Sequence, residues 1–170
     1  MPSICDGSRR TLPSIAFAIF ATCSPATAQG AQPQYLDDRS TPEAVVESLY
    51  NAIERQEYLR AWSYFRDEPG RPSFEAFAKG YEATAHARVK LGEGSSDGAA
   101  GSIYYAVPAV VEATGRDGGI QVYAGCYELR LVQPAAQATP PFQPLGIVKG
   151  VLKPASAGFD AASGSCAGLP

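Results

Sequence analysis

Glu128 and Arg130 stand two residues apart in the stretch YELRL. In an extended chain that spacing puts both side chains on one face. A carboxylate and a guanidinium so placed can orient a ligand, or form an ordinary ion pair across a sheet. Glu112 is the other carboxylate within an alternating stretch, and with Glu128 it makes the one pair suited to acid/base work. His86 is the sole histidine. At a strand start it suits a general base if a carboxylate stands beside it. Its alternation with Ala87 and Val89 also sets it in the solvent-facing phase of Arg88 and Lys90. Aromatic residues are in surplus: Tyr50, Tyr58, Trp62, Phe65, Phe77, Tyr81, Tyr105, Tyr123 and Tyr127 fall mostly on inward phases. They pack a core, or they line a pocket with phenol groups turned inward, Trp62, Tyr105 and Tyr127 being the ring candidates for a ligand.

Other chemistries find no support. GEGSSDG, residues 92–98, lacks the Gly-Lys-Ser/Thr ending of a phosphate loop and does not open onto a helix. No nucleophile elbow, zinc signature or internal repeat is present. Two cysteines and one histidine at unrelated spacings make no metal-ligand cluster, so neither a metal nor a cofactor is expected.

The N-terminus sets the compartment. Arg9 and Arg10 precede a short apolar run, Leu12 to Cys23, and Ala26-Thr27-Ala28 supplies the small residues that a signal peptidase reads. Residues 1–28 are read as a secretory signal peptide cleaved near Ala28, giving a periplasmic or secreted protein with no transmembrane anchor. Cleavage before a lipidated Cys23 fits less well, because Phe20 and Thr22 occupy the positions that want a Leu-like and a small residue. Loss of Arg9, Arg10 and Asp6 takes the charge count from 14 basic and 17 acidic to 12 and 16, a net of −4. A mildly acidic chain without basic clusters argues against nucleic-acid binding.

Cys126 and Cys166 are then the remaining cysteines, an even pair in an oxidising compartment, and a disulfide is the expected pairing. It would tie the tail AASGSCAGLP onto the strand that holds Cys126. Closing a loop of about 40 residues stabilises by roughly 4 kcal/mol in the chain-entropy description.

The elements that must position these groups follow from periodicity. Residues 29–39 read as a flexible lead-in, and residues 40–170 as one domain. Ser40 or Thr41 can cap a helix, Pro42 suits its first turn, and Val45, Val46, Leu49, Tyr50 and Ile53 share one face. Gln56 and Glu57 mark a break, after which Tyr58, Ala61, Trp62 and Phe65 continue a helical stripe. Ser73 caps a short third helix bearing Phe74, Phe77 and Tyr81. The period then changes to two. Ala87, Val89 and Leu91 alternate, GEGSSDGAAG reads as a turn-rich connection, and Ile103 to Ala113 alternates over a long strand. Pro108 within it calls for an edge position or a bulge. Asp117-Gly118 signals a tight hairpin. From Ile120 to Val132 the apolar phase slips near Gly125, which a bulge there or burial on both faces would reconcile. Leu145 to Leu152 is the last strand. The expected class is α+β: helices first, then an antiparallel sheet of about four strands.

At this point a resemblance enters. STPEAVVESLYNAIERQEYLRAWSYF, residues 40–65, resembles the opening helices of the nuclear transport factor 2-like (cystatin-like cone) superfamily. SFEAFAKGYEATAHARVKLG is similar to the third helix and first strand of small exported bacterial members, and YAGCYELRL to their central strand. The resemblance covers about residues 40–153. It implies helices laid on a strongly bent sheet, with a cone whose pocket the central strand passes, and hence a ligand role for Glu128 and Arg130. One fold hosts many functions. The leading expectation is an exported, non-catalytic domain that binds a small apolar or amphipathic ligand or associates with protein. The alternatives are a small acid/base enzyme of isomerase or cyclase type using a carboxylate in the cone, and a homodimeric interaction module. The Tyr/Asp pairing of the isomerase-like enzymes is missing, since no Asp lies in the strands expected from the pattern.

Overall fold

Thr41 opens the first helix by accepting a hydrogen bond from the Ala44 N–H at 3.1 Å. The computed structural model describes residues 32–167; the expected signal peptide, its cleavage point and Cys23 lie outside them. Helix α1 spans Pro42–Glu54 and buries Val45, Val46, Leu49, Tyr50, Ala52 and Ile53. It stops where Gln56 takes a left-handed φ of 58°. Helices α2, Tyr58–Ser63, and α3, Phe74–Gly80, follow, the latter capped by Ser73 through the Ala76 N–H. Residues 33–39 carry no helix or strand, yet they are tied down. The Asp38 N–H donates to the buried Ser48 hydroxyl at 2.8 Å, the Asn51 side chain bridges Gln34 and Leu36, and Arg60 donates to the Leu36 carbonyl. The expected lead-in is therefore stitched to α1 and α2 by polar side chains that a hydropathy pattern does not register.

Among the described residues, five antiparallel strands form one open sheet in the order β1-β3-β4-β5, with β2 also on β3. Their ranges are β1 Thr84–Leu91, β2 Ser95–Ala99, β3 Ser102–Gly115, β4 Ile120–Val132 and β5 Gly146–Pro154. Strand β2 corrects the turn-rich reading of residues 92–101. All five of its residues are exposed, so it lacks the alternation that marks a half-buried strand. It also carries Asp97, so an Asp does lie in the sheet, exposed and opposite Tyr104.

Strands β1 and β2 lie end to end along one side of β3, taking Ala109–Gly115 and Ser102–Ala106 respectively. Pro108 falls in the gap between them. Its carbonyl accepts from the Gly92 N–H at 2.8 Å, and its missing N–H would have pointed into that same gap. A central strand therefore tolerates a proline without the edge position or bulge expected from the sequence. Strand β4 pairs with β3 in unbroken register through Gly125. Of the two explanations for its slipped phase, burial on both faces holds. Tyr127 and Leu129 join the helix-side core, while Val122 and Cys126 are buried on the opposite side.

The helix-side core gathers α1 and the odd-numbered residues of β3 and β4, among them Val107, Ala109, Val111 and Leu129. The far side is smaller: Val110, Val122 and Ala162, with Ala124, Ala155 and Phe159 packed on them. There the C-terminal tail crosses the sheet. Cys126 and Cys166 are joined, with S–S 1.99 Å and Cα–Cα 5.0 Å. The Lys90 ammonium donates to the carbonyls of Phe159, Asp160 and Ala162 at 2.8, 2.9 and 2.9 Å. Gly164 presses so closely on β3 that a Cβ there would stand 2.4 Å from the Ala109 nitrogen.

Candidate functional site

Helices α1 and α3 leave one end of the helix-side sheet uncovered, and a cavity of about 430 Å³ lies there. Its walls are Tyr50 from α1, Phe77 from α3, Tyr81 just beyond it, Ala87 from β1, Val111 and Ala113 from β3, Tyr123 from β4 and Leu152 from β5. The alternation of each strand puts its residues on the helix side, and α3 adds Ala76, Phe77 and its last residue, Gly80. Among the described residues, the lining carries no charged side chain.

The polar groups of the lining are the Tyr50, Tyr81 and Tyr123 phenols and the Thr84 hydroxyl, and Tyr50 is paired with Tyr127 behind the lining. The Tyr50 and Tyr127 hydroxyls are 2.7 Å apart, and their rings meet edge to face at 6.3 Å. Both residues are 4 % exposed. Gly150 makes room for the pair, because a Cβ there would collide with the Tyr127 ring at 2.4 Å. Burial in apolar surroundings raises both phenol pKa values well above the ordinary range, and burial alone pushes Tyr81 up to about 12. All three stay neutral donors at any physiological pH. Each phenol has one proton to give, and one proton suffices to join the pair. Neither hydroxyl has a further partner among the described residues. Tyr50 lines the cavity, so it is the member of the pair that a bound molecule would meet.

The residues singled out from the sequence divide among different places. Tyr127 lies beneath the cavity as the Tyr50 partner. Tyr105 is on the helix side, packed against the core but away from the cavity lining. Trp62 lines a different cleft, under Arg71. Glu128 and Arg130 point to the tail side of the sheet. Glu128 lies 3.1 Å from the Lys149 ammonium. Arg130 donates to the Ser102 hydroxyl and pairs with Glu68 at 3.2 Å. Glu112 is on that side too, held by Arg88 at 2.7 Å. The structure therefore brings neither carboxylate to the cavity. The parity of β4 explains this: Cys126, Glu128 and Arg130 share one face, and that face receives the tail.

His86 does find a carboxylate. Its Nδ1 is 2.8 Å from Glu54 at the end of α1, whose other oxygen accepts the Ala87 N–H at 2.7 Å. The two residues are 32 apart in sequence, so no local pattern links them. The imidazole is 71 % exposed, in a shallow cleft with Arg88, Glu112 and Thr114. Tyr50 was the missed partner at the main site. Its membership of the helical stripe was legible, but its bond to Tyr127 spans 77 residues.

No protein-family model matches the chain, and no curated protein is similar to it.

Proposed function

We propose that this is an exported domain of the nuclear transport factor 2-like cone type, and that it binds a small, uncharged, largely apolar molecule in the cavity lined by Tyr50, which Tyr127 backs. The observation that carries the proposal is the wall of rings and aliphatic groups around a neutral phenol donor. Apolar walls with one or two orienting polar groups are what a small-molecule site needs, and about 430 Å³ falls within the usual range. A charged guest would leave water for a cavity with no opposite charge, at a cost of several kcal/mol. The guest is therefore neutral and carries one acceptor oxygen, such as a carbonyl or ether. Export follows from Arg9, Arg10, the apolar run and Ala26-Thr27-Ala28. Binding rather than catalysis is favoured because the candidate carboxylates Glu112 and Glu128 lie across the sheet from the cavity.

Titration with 2-naphthol, followed by the probe's own fluorescence, tests this. Saturable binding is expected. Ala113→Trp, at the rim, should abolish it, and Tyr50→Phe should weaken it about fivefold, the value of one neutral hydrogen bond. Naphthol binding that survives Ala113→Trp undiminished, or no saturable binding at all, overturns the proposal.

A further inference from the structure

A second cleft, of about 390 Å³, shares no lining residue with the cavity. It is bounded by α2, by the loop that follows it and by the segment before β5. Its chemistry is opposite in kind. Arg39, Arg66 and Arg71 line it with a single carboxylate, Asp67, which is 91 % exposed and 3.7 Å from Arg71. Each guanidinium has a carboxylate within 4 Å, Asp37 for Arg39, Glu68 for Arg66 and Asp67 for Arg71, and the Arg71 pair is the loosest in hold because its partner is in solvent. Two exposed apolar side chains stand at the rim, Leu59 at 65 % and Phe142 at 62 %.

The three arginines differ in what they have left to give. Arg66 is spent: it bonds Glu68, the carbonyls of Arg130 and Pro144, and Gln143. Arg39 bonds the Ser63 carbonyl and hydroxyl, faces Asp37 at 3.9 Å and lies over the Tyr64 ring. Arg71 lies flat on the Trp62 ring at 3.4 Å and makes one hydrogen bond, from Nη2 to the Trp62 carbonyl at 3.1 Å. Its Nε is buried and has no partner among the described residues. A guanidinium has five N–H donors, and a mostly covered one that uses so few is poised for an acceptor. Stacking on Trp62 holds it flat and in place, so little freedom is lost when a carboxylate docks.

We propose that this cleft binds a small carboxylic acid with a flat apolar body. The carboxylate pairs with Arg71 and displaces the solvated Asp67, and the body lies between Leu59 and Phe142. Charge complementarity selects the acid, and the exposed rim selects the apolar body.

Trp62 is the only tryptophan, so intrinsic tryptophan fluorescence reports this cleft and not the phenol-lined cavity. The probe is 3-phenylpropionate, with 3-phenylpropan-1-ol as its uncharged counterpart. The acid should shift Trp62 emission saturably and bind about tenfold tighter than the alcohol, the worth of a charge-assisted bond, with the gap closing at high salt. Arg71→Gln should remove the gap. Phe142→Ser, at an exposed position that leaves the fold intact, should weaken the acid several-fold while 2-naphthol binding in the other cavity stays unchanged. Equal binding of acid and alcohol, or an unaltered response in Arg71→Gln, overturns the proposal. So does a response to an acidic aromatic peptide without any to 3-phenylpropionate, which would make the cleft a protein-docking surface instead.

Discussion

The two faces of the sheet are held by different forces. Toward the helices, Val107, Ala109, Val111, Tyr127 and Leu129 bury themselves against α1, and the polar groups there are neutral phenols. Toward the tail, the apolar cluster has three buried members, and charged pairs surround it: Arg88 with Glu112, Lys149 with Glu128, Arg130 with Glu68. The tail AASGSCAG has too few large side chains to hold itself by burial. It is held instead by a covalent bond and by one ammonium ion shared among three carbonyls. Where apolar area is plentiful, the chain dispenses with crosslinks and keeps room for a cavity. Where it is scarce, the chain is strapped.

Alkali should attack the first face through its buried phenols. Tyr50, Tyr127 and Tyr81 all have pKa values raised by burial, Tyr81 to about 12. While folded and unfolded states are both protonated, the raised values change nothing. Above about pH 10 the unfolded phenols ionise and the folded ones do not, so each lowers stability by up to about 1.4 kcal/mol per pH unit. Stability is thus intact below about pH 10 and lost as pH climbs toward 12, the largest effect expected here. Far-ultraviolet circular dichroism and tyrosinate absorbance recorded together should show these phenols ionising only as the fold is lost. Tyrosines that all titrate near pH 10 in a chain still folded would refute the buried phenol pair.

A matched pair of substitutions separates the two faces next. Leu129→Ala opens a cavity in a fully buried position, and should cost about 4 kcal/mol in denaturant unfolding. Cys166→Ala cuts the strap at its half-exposed end, and should cost about 3 kcal/mol. The second loss should appear on reduction of the native chain as well, and 2-naphthol binding should survive it. If the strap carries the fold, the order reverses, and the reduced chain loses naphthol binding together with its helical signal.

How far this division was legible from the sequence can be traced residue by residue. The caps at Thr41 and Ser73, the apolar stripe of α1 and the alternation of β3 are local signals, and α1, α3 and β3 follow from them. The disulfide followed from arithmetic on two cysteines. Strand β2 was invisible because it is paired by backbone alone, with every side chain in solvent. The two-faced burial of β4 was readable only as an ambiguity, since the tail that covers its second face lies more than thirty residues on and is made of small residues. For the candidate site, Tyr127 was named but not its role, and Glu128 and Arg130 were assigned by the strand's passage near a pocket. Their parity with Cys126 was the available warning. A strand's residues at even spacing share one face, so a disulfide to a tail on that face excludes the same face from the helix side.

Glu128 yields the smallest expected effect and the sharpest test of that parity. Its Oε2 lies 3.1 Å from the Lys149 nitrogen, yet that oxygen is buried and makes no well-aligned hydrogen bond. The contact is therefore one of charge rather than of bonding geometry. Lys149 is 43 % exposed along its side chain, and water can solvate the ammonium if its partner is neutralised. Glu128→Gln keeps the volume and removes the charge, so it should cost less than about 1 kcal/mol, in the range of partly solvated pairs. Added salt should lower the stability of the native chain by slightly more than that of the variant, the difference being the screened Glu128–Lys149 attraction. Most of all, 2-naphthol affinity should be unchanged, because the residue faces the tail and not the cavity. A several-fold change in naphthol affinity, with the melting temperature untouched, would put Glu128 back at the ligand site and undo the assignment of the two faces.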